Sequence, residues 1–295
     1  MVEYRKGMVA LLGVLLTLIM VFGGYALAGG KLGIIIAALP FEMMIIGGAA
    51  MGAFIAGNNM AVIKHTGADM KALISGPRFG KKDYQDLLCL LHTLLNLGAK
   101  DPTELEKAIE DPGNSPIFQE YPNIAKDKHA IEIICDTMRS MIMNFDNAFQ
   151  VEEMLEKQLL QMKEDSLHGA HALGRMADAL PALGIVAAVL GVIKTMASID
   201  KPPEILGQMI GSALVGTFLG VFLAYGIVGP WAERIKQLRE EEQAFYGLIR
   251  EVLVHWLHQH PAVMCVEVGR RNAPDKVRPS FLELDDAIRS MKKAA

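Results

Sequence analysis

Two uncharged runs late in the chain constrain its fold more than any other feature. They are ALPALGIVAAVLGVI at residues 179–193 and ILGQMIGSALVGTFLGVFLAYGIVGPWA at residues 205–232, with the polar stretch Asp200-Lys201-Pro202-Pro203-Glu204 between them. A helix in a soluble protein keeps a polar face toward water, whereas a helix crossing a bilayer core of about 30 Å needs roughly 20 apolar residues. Glycine and alanine recur at close intervals in both runs, and in lipid such small residues let helix backbones approach. Neither run carries a carboxylate in its middle. If the pair lines an ion path, the titratable group must come from another chain.

Two further apolar runs precede this pair. Residues 7–30 carry no charge, and a second run follows Lys31 and extends to residue 63, interrupted only by Glu42. No comparable run occurs between Lys64 and Asp178, so four spans are expected. Hydrophobic residues reach 52% and charged residues 21%, which fits apolar content concentrated in spans. The first span also resembles a signal peptide, with Arg5 and Lys6 before it and Ala26-Leu27-Ala28 as a cleavage-like sequence; its length and the immediate second span favour retention. Lys and Arg collect at Arg5, Lys6, Lys64, Lys71, Arg78, Lys81, Lys82, Arg175, Arg234, Lys236 and Arg239, while the opposite connections hold Lys31 and Lys201, with Lys194 near the end of span three. The positive-inside bias therefore places both termini and both long polar segments in the cytoplasm, with Tyr4 and Trp231 as anchors at the inner interface.

The expected architecture is an all-α membrane protein with four transmembrane helices and a helical cytoplasmic domain. Its parts are a hairpin of spans one and two at residues 1–63, a cytoplasmic helical domain at 64–176, a hairpin of spans three and four at 177–232, and cytoplasmic C-terminal helices at 233–295. Gly76-Pro77-Arg78-Phe79-Gly80 reads as a linker leaving the membrane. Leu87, Leu88, Leu91, Leu94 and Leu95 then recur at helical spacing, and Thr103 is the expected N-cap of a short helix through Ile109. Ile131, Ile134, Cys135, Met138 and Ile142 share one face of a further helix. Another begins near Phe149, carries Met154, Leu155, Leu159 and Met162, and runs toward span three. Beyond span four, Ile235, Leu238, Phe245, Ile249, Val252 and Trp256 keep the helical period. Spans three and four thus extend into the cytoplasm as long helices that pack on each other and on the helix at 82–97. A short strand is expected at 263–268.

Several chemistries find no support. A formal net charge of −4 leaves no basic surface for nucleic acid. Cys89, Cys135 and Cys265 are widely spaced and match no metal or redox motif. Gly76-Pro77-Arg78-Phe79-Gly80-Lys81-Lys82 superficially resembles a phosphate-binding loop, but it is one residue short and Lys82 replaces the Mg²⁺-binding hydroxyl. Histidines cluster as His168 with His171, and as His255, His258 and His260. An i,i+3 pair lacks the third ligand and base that a catalytic metal site requires, so solvated helix-surface histidines are the better reading, and a metalloenzyme would show itself by stoichiometric metal. Neither enzymatic activity nor a cofactor is expected.

Within the spans, Gly48/Gly52, Gly207/Gly211 and Gly216/Gly220 place small residues on helix stripes, either for packing inside one chain or for a ring interface between subunits. Glu42 is expected early in span two, near the outer side and a few residues inside the interface; a carboxylate at membrane depth is a functional suspect, and for Glu42 the alternatives are snorkelling or local pairing. The Thr217 hydroxyl either bonds its own i−4 carbonyl or faces a pore. Pro181 and Pro230 read as helix-start and helix-end punctuation, or as hinges.

The segments Leu180-Pro181-Ala182-Leu183-Gly184-Ile185-Val186-Ala187-Ala188 and Val215-Gly216-Thr217-Phe218-Leu219-Gly220, continued by Leu223-Ala224-Tyr225-Gly226 and Pro230, resemble the MotA family of flagellar stator subunits, within the MotA/TolQ/ExbB ion-channel superfamily. Gly57-Asn58-Asn59, Leu105-Glu106, Asp111-Pro112, Val268-Gly269-Arg270 and Arg278-Pro279-Ser280-Phe281 extend the resemblance over nearly the whole chain. ExbB and TolQ proteins have three spans, so four favour MotA; an ExbB/TolQ-like proton-driven energiser of an envelope process is the alternative. The resemblance implies a homo-oligomeric, pentameric ring in lipid at the bacterial inner membrane. The ring would surround a MotB-type single-span partner whose intramembrane Asp binds the ion, and would push the rotor switch protein FliG. It further implies that Pro181 and Pro230 are the family's functional prolines, that Ala188, Thr217 and Tyr225 wall the ion path, and that Ala188, standing where sodium-driven relatives carry threonine, makes the motor proton-driven. Glu106 matches a rotor-contacting acid. The family arginine that accompanies this acid is absent: Gly98 holds its place, or Ala99 if a gap is allowed, and Lys100 is the nearest substitute. Lysine is a point charge where arginine offers a fork, so the contact geometry would differ.

Overall fold

Every regular element among the described residues is helical. The structure, a computed structural model, describes residues 4–143 and 147–294, with backbone alone at 4–8 and 292–294; the side chains of Tyr4, Arg5 and Lys6 therefore lie outside the described set. The helices are α1 (Tyr4–Leu27), α2 (Leu32–Glu42), α3 (Gly48–Gly57), α4 (Met60–Ser75), α5 (Lys81–Lys100), α6 (Pro102–Glu110), α7 (Pro116–Gln119), α8 (Pro122–Ala125), α9 (Lys128–Met143), α10 (Ala148–Met196), α11 (Pro203–Leu223), α12 (Gly229–Leu257), α13 (Ala262–Asn272) and α14 (Phe281–Ala294). Two π-helical turns, Met43–Gly47 and Ala224–Val228, join α2 to α3 and α11 to α12 without breaking the rod. Four helical stretches are long and apolar enough to cross a membrane: Val9–Leu27, Leu32–Gly57, Ala148–Met196 and Pro203–Leu257. The chain divides into two compact units, Met1–Gly76 with Ser166–Leu238, and Pro77–Asp165 with Arg239–Ala295.

The first unit contains the apolar pair. Gly184 and Gly191 of α10 meet Gly220 and Ala213 of α11, with Ala187 and Ala188 against Gly216 between them. On α11 these positions are three, four and seven residues apart, and on α10 Ala187 and Ala188 each lie three or four residues from Gly184 and from Gly191, the spacing that puts side chains on one face. A methyl group placed on Gly220 would lie 2.6 Å from the Leu180 carbonyl oxygen and 2.8 Å from Gly184 Cα. The absence of side chains thus lets two backbones touch, and dispersion between the closely packed helices replaces the hydrophobic drive that lipid cannot supply. Gly48, Gly52 and Gly207 have nothing within 4 Å of an added methyl, so the intramolecular stripe is Gly216/Gly220. Ile46, Ala50, Leu180, Ala187, Leu219 and Ala224 form the buried cluster beside this seam. Phe22 of α1 meets the rings of Phe218 and Phe222 edge-on, at 5.9 and 5.5 Å between centroids.

The second span ends sooner than its apolar run. The helix stops at Gly57, Asn58 is extended, and the Asn59 side chain accepts the backbone N–H of Val62 to cap α4. An asparagine that satisfies an orphan helix N–H starts a new helix where hydrophobicity alone would continue the old one.

In the second unit α5 is buried almost all round: Leu87, Leu88, Leu90, Leu91, Leu94 and Leu95 have no exposed surface. Each such leucine contributes about 1.5–3 kcal/mol of burial. Around them pack Ile133, Ile134 and Met138 of α9, Val151 and Leu155 of α10, and Phe245, Ile249 and Val252 of α12. The expected packing of the long helices on α5 is therefore present, although the α10 face that buries carries Val151 and Leu155, and Phe149 and Met154 are exposed. Asp101, not Thr103, caps α6, accepting the N–H groups of Thr103 and Glu104; aspartate one residue before Pro102 takes the position because proline fits the first helical turn. The expected strand at 263–268 is instead part of α13. Pro261 sets its start, and Cys265, Val266 and Gly269 bury one face at helical spacing; β-branched residues favour a strand only where a neighbouring strand can pair with them.

Arg78 and Phe79 are not a free basic linker. Arg78 pairs with Asp127 at 2.8 Å, and Phe79 stacks on Phe245 at 3.8 Å between centroids. Asp127, with no exposed surface, also accepts the Ala130 N–H at 2.8 Å and the Tyr246 hydroxyl at 3.1 Å, so its buried charge is fully compensated.

Candidate functional site

Pro181 lies inside α10, which runs without interruption from Ala148 to Met196. The punctuation reading is therefore overturned: packing on both sides of the proline outweighs the hydrogen bond it forfeits and the crowding of the carbonyl four residues back. Pro230 is likewise not a helix end, since α12 continues to Leu257. It lies two residues past the π-helical turn Ala224–Val228, whose following residue, Gly229, donates its N–H to the Ala224 carbonyl five residues back. That wider turn relaxes the ladder just where proline cannot donate to it.

The structure brings Ala188 and Thr217 to the same seam. A methyl on Gly184 would lie 3.3 Å from Thr217 Cα, and one on Gly216 would lie 3.2 Å from the Ala188 nitrogen. Pro181 sits at one end of that seam, next to the Leu180 carbonyl that faces Gly220. Tyr225 and Pro230 fall outside the close-packed stripe, and Tyr225 is 73% exposed. The hydroxyls of Thr17, Thr66, Thr93 and Thr195 each donate to a carbonyl four residues back. Among the described residues no such bond is made by Thr217, so its hydroxyl is available for other chemistry. Ile185, Val186, Val189 and Leu190 of α10 and Leu214 and Val221 of α11 are exposed, an uncharged apolar surface on the same two helices.

Glu42 does not snorkel. It is 7% exposed, and its Oε2 has no hydrogen-bond partner. Sequence reading missed the contact that ties the end of α3 to α10: Arg175 Nη2 donates to Asn58 Oδ1 at 3.1 Å, while Asn58 Nδ2 donates to the Phe54 carbonyl at 2.7 Å. The Gly57-Asn58-Asn59 signal was visible, but its partner lies more than a hundred residues away.

In the second unit, Lys100 ends α5 and Glu106 lies on α6, both exposed. Gly98 explains the missing arginine. A methyl there would come 2.7 Å from Leu105 Cδ2 and 3.0 Å from the Trp256 ring, so this position points into packed side chains. Its neighbours Ala99 and Lys100 are on the exposed side. His255 Nδ1 lies 2.8 Å from the Glu251 carbonyl and His258 Nε2 lies 3.4 Å from Glu152; His168 and His171 are exposed. Burial pushes the thiols of Cys89 and Cys135 up to about 12 and that of Cys265 up to about 11, which keeps all three protonated and unreactive at neutral pH.

Comparison with known proteins agrees with this geometry. The motility protein A N-terminal family matches residues 11–102, and the MotA/TolQ/ExbB proton channel family matches residues 126–246. Motility protein A of Salmonella typhimurium is 38% identical over 286 residues, covering 97% of this chain and 96% of that one. The solved structure of C. jejuni MotAB is similar in fold, with a TM-score of 0.71 at 18% identity over 92% of this chain and 98% of that chain. The flagellar MotAB stator complex from Bacillus subtilis gives 0.67 at 20% identity over 87% and 92%. Four apolar helices, a glycine seam in the last two and a likeness that runs from end to end make the chain a member of the motility protein A family of MotA/TolQ/ExbB proton channels.

Proposed function

We propose that this protein is a flagellar stator subunit that conducts protons together with a MotB-type partner and converts the flow into torque on the rotor. The observation that carries the reading is the close-packed α10–α11 seam, which has no acidic residue of its own, in a chain 38% identical to motility protein A along nearly its whole length. The ion-binding carboxylate is the Asp of the single-span partner. It alternates between charged and neutral forms against a wall of Ala188, Thr217 and Tyr225, and Pro181 and Pro230 transmit the change along α10 and α12. Ala188, in place of a hydroxyl, supports protons over sodium. The membrane hairpins are residues 1–63 and 177–232, and the segments at 64–176 and 233–295 are cytoplasmic, as are both termini. The subunits form a pentameric ring in the lipid of the inner membrane, and the role is mechanical rather than enzymatic. Glu106 and Lys100 meet charged residues of FliG.

Energy enters as charge moving through the membrane potential, about 2.3 kcal/mol per elementary charge at 100 mV. The test is to express the chain with its partner in a motile host lacking its own stator. The unmutated pair should restore swimming, and Pro181→Leu should insert and assemble normally but leave the cells paralysed. Normal swimming by that variant would remove the role given to Pro181; no swimming by the unmutated pair would overturn the stator reading.

A further inference from the structure

Glu42 is the acidic residue that the proposed mechanism does not use. It ends α2, an 11-residue helix starting at Leu32. At 1.5 Å per residue this places it roughly 15 Å from the start of the span, about half the depth of a bilayer core. It is 7% exposed, and its Oε2 is without a hydrogen-bond partner. The carboxyl is aimed at the α10–α11 seam: a methyl on Gly216 would lie 2.7 Å from Oε2, 3.1 Å from Ala187 Cβ and 3.2 Å from the Ala188 nitrogen. Only the missing side chain at Gly216 admits the carboxyl there. The next residue is Thr217, whose hydroxyl is not spent on a backbone carbonyl.

A structural ion pair does not account for it. Residues 9–27 of α1, 179–193 of α10 and 205–223 of α11 contain no Asp, Glu, Lys, Arg or His. A buried carboxyl with neither a cation nor a donor is costly, and an apolar side chain of similar volume would fill the site without that cost. The π-helical turn Met43–Gly47 begins at the next residue, and such turns are frequent where a helix re-aims functional groups.

We infer that Glu42 is a second proton-binding carboxyl of the membrane unit, in series with the partner's acid and reached through the gap at Gly216. The inference rests on the proton-conducting reading above. In the step, an O–H bond of a hydronium ion breaks, leaving water, as an O–H bond forms on the Glu42 carboxylate; that bond then breaks as the proton passes to a water, giving hydronium, or to the partner's carboxylate, and no oxidation state changes.

The experiment uses the full chain co-purified with its single-span partner, in phosphatidylethanolamine–phosphatidylglycerol vesicles, with a pH-sensitive dye and a valinomycin-imposed potential. Glu42→Gln keeps the shape and cannot titrate, so proton flux should fall by about tenfold or more, as for loss of a positioned proton-transfer group. Glu42→Asp should retain part of the flux, and the amount of assembled complex should not change. A Glu42→Gln complex that conducts at the unmutated rate overturns the inference and leaves the stator reading intact. Unmutated vesicles that pass no protons overturn the stator reading itself. If Glu42→Gln fails to assemble, the unmutated complex is treated with dicyclohexylcarbodiimide, which attacks protonated carboxyls. An adduct on Glu42 by mass spectrometry, declining as pH rises, supports the inference; an unlabelled Glu42 overturns it.

Discussion

Replacing Gly220 by alanine tests whether the α10–α11 seam is held by backbone contact. The new methyl would lie 2.6 Å from the Leu180 carbonyl oxygen, 2.8 Å from Gly184 Cα and 3.1 Å from the Gly184 nitrogen. All three are backbone atoms, so no side chain can swing aside. Restoring an ordinary 3.4 Å contact from 2.6 Å moves the helices apart by 0.8 Å, a gap that forfeits about a quarter to a half of each dispersion contact along the seam. Overpacking of this kind costs about 3 kcal/mol at the upper end of its range. Alanine returns about 1 kcal/mol of helix propensity. The net loss of about 2 kcal/mol corresponds to a fall of about 4–8 °C in the melting temperature. The assay is the temperature at which detergent-solubilised protein loses its size-exclusion peak. Gly13→Ala on α1, with nothing within 4 Å, is the control and should melt at or slightly above the unmutated temperature. A Gly220→Ala protein as stable as that control would refute the argument for backbone contact.

Gly98→Arg, which installs the family arginine, should destabilise the second unit by about 1–3 kcal/mol because its side chain must displace Leu105 and Trp256; Ala99→Arg, on the exposed side, should leave thermal melting unchanged, and equal melting of the two would remove the steric explanation. The helices of the second unit should also weaken in acid. A hydrogen bond from Arg270, joined by Arg271, holds the Glu267 carboxyl down to about 2, and one from Lys81, with the Ser280 backbone and hydroxyl, does the same for Glu283. A carboxyl lowered on folding stabilises above its ordinary value of 4.5 and loses that contribution as pH falls from there toward about 2. Circular-dichroism melts across that window should show a steeper decline for the unmutated protein than for a Glu267→Gln/Glu283→Gln variant, and parallel curves would contradict the assignment.

Much of the architecture was legible because its signals are local. Four apolar runs predict four spanning helices, and the leucines of 87–95 predict the helix that became the centre of the second unit. The family likeness rested on short contiguous motifs and was equally readable. Errors arose where a local signal had competing readings. Valines at 263–268 suit a strand in isolation, but Pro261 and the face presented to the α5 and α12 side chains make them helical. A proline such as Pro181 suits the start of a helix, yet α10 passes straight through it.

Order along the chain therefore determined the number of spans, the helical class, the family and the absence of an acid from residues 179–193 and 205–232. Periodicity and hydrophobicity act over a few residues and need no knowledge of neighbours. Three-dimensional packing alone decided which glycines touch, which side chains an arginine at position 98 would displace, and where the one acidic side chain of the second span points. Those depend on residues far apart in sequence being brought side by side, as when the Glu42 carboxyl comes to rest in the space a side chain at Gly216 would fill. The apolar pair that lacks a carboxyl thus has one beside it, supplied by another helix of the same chain.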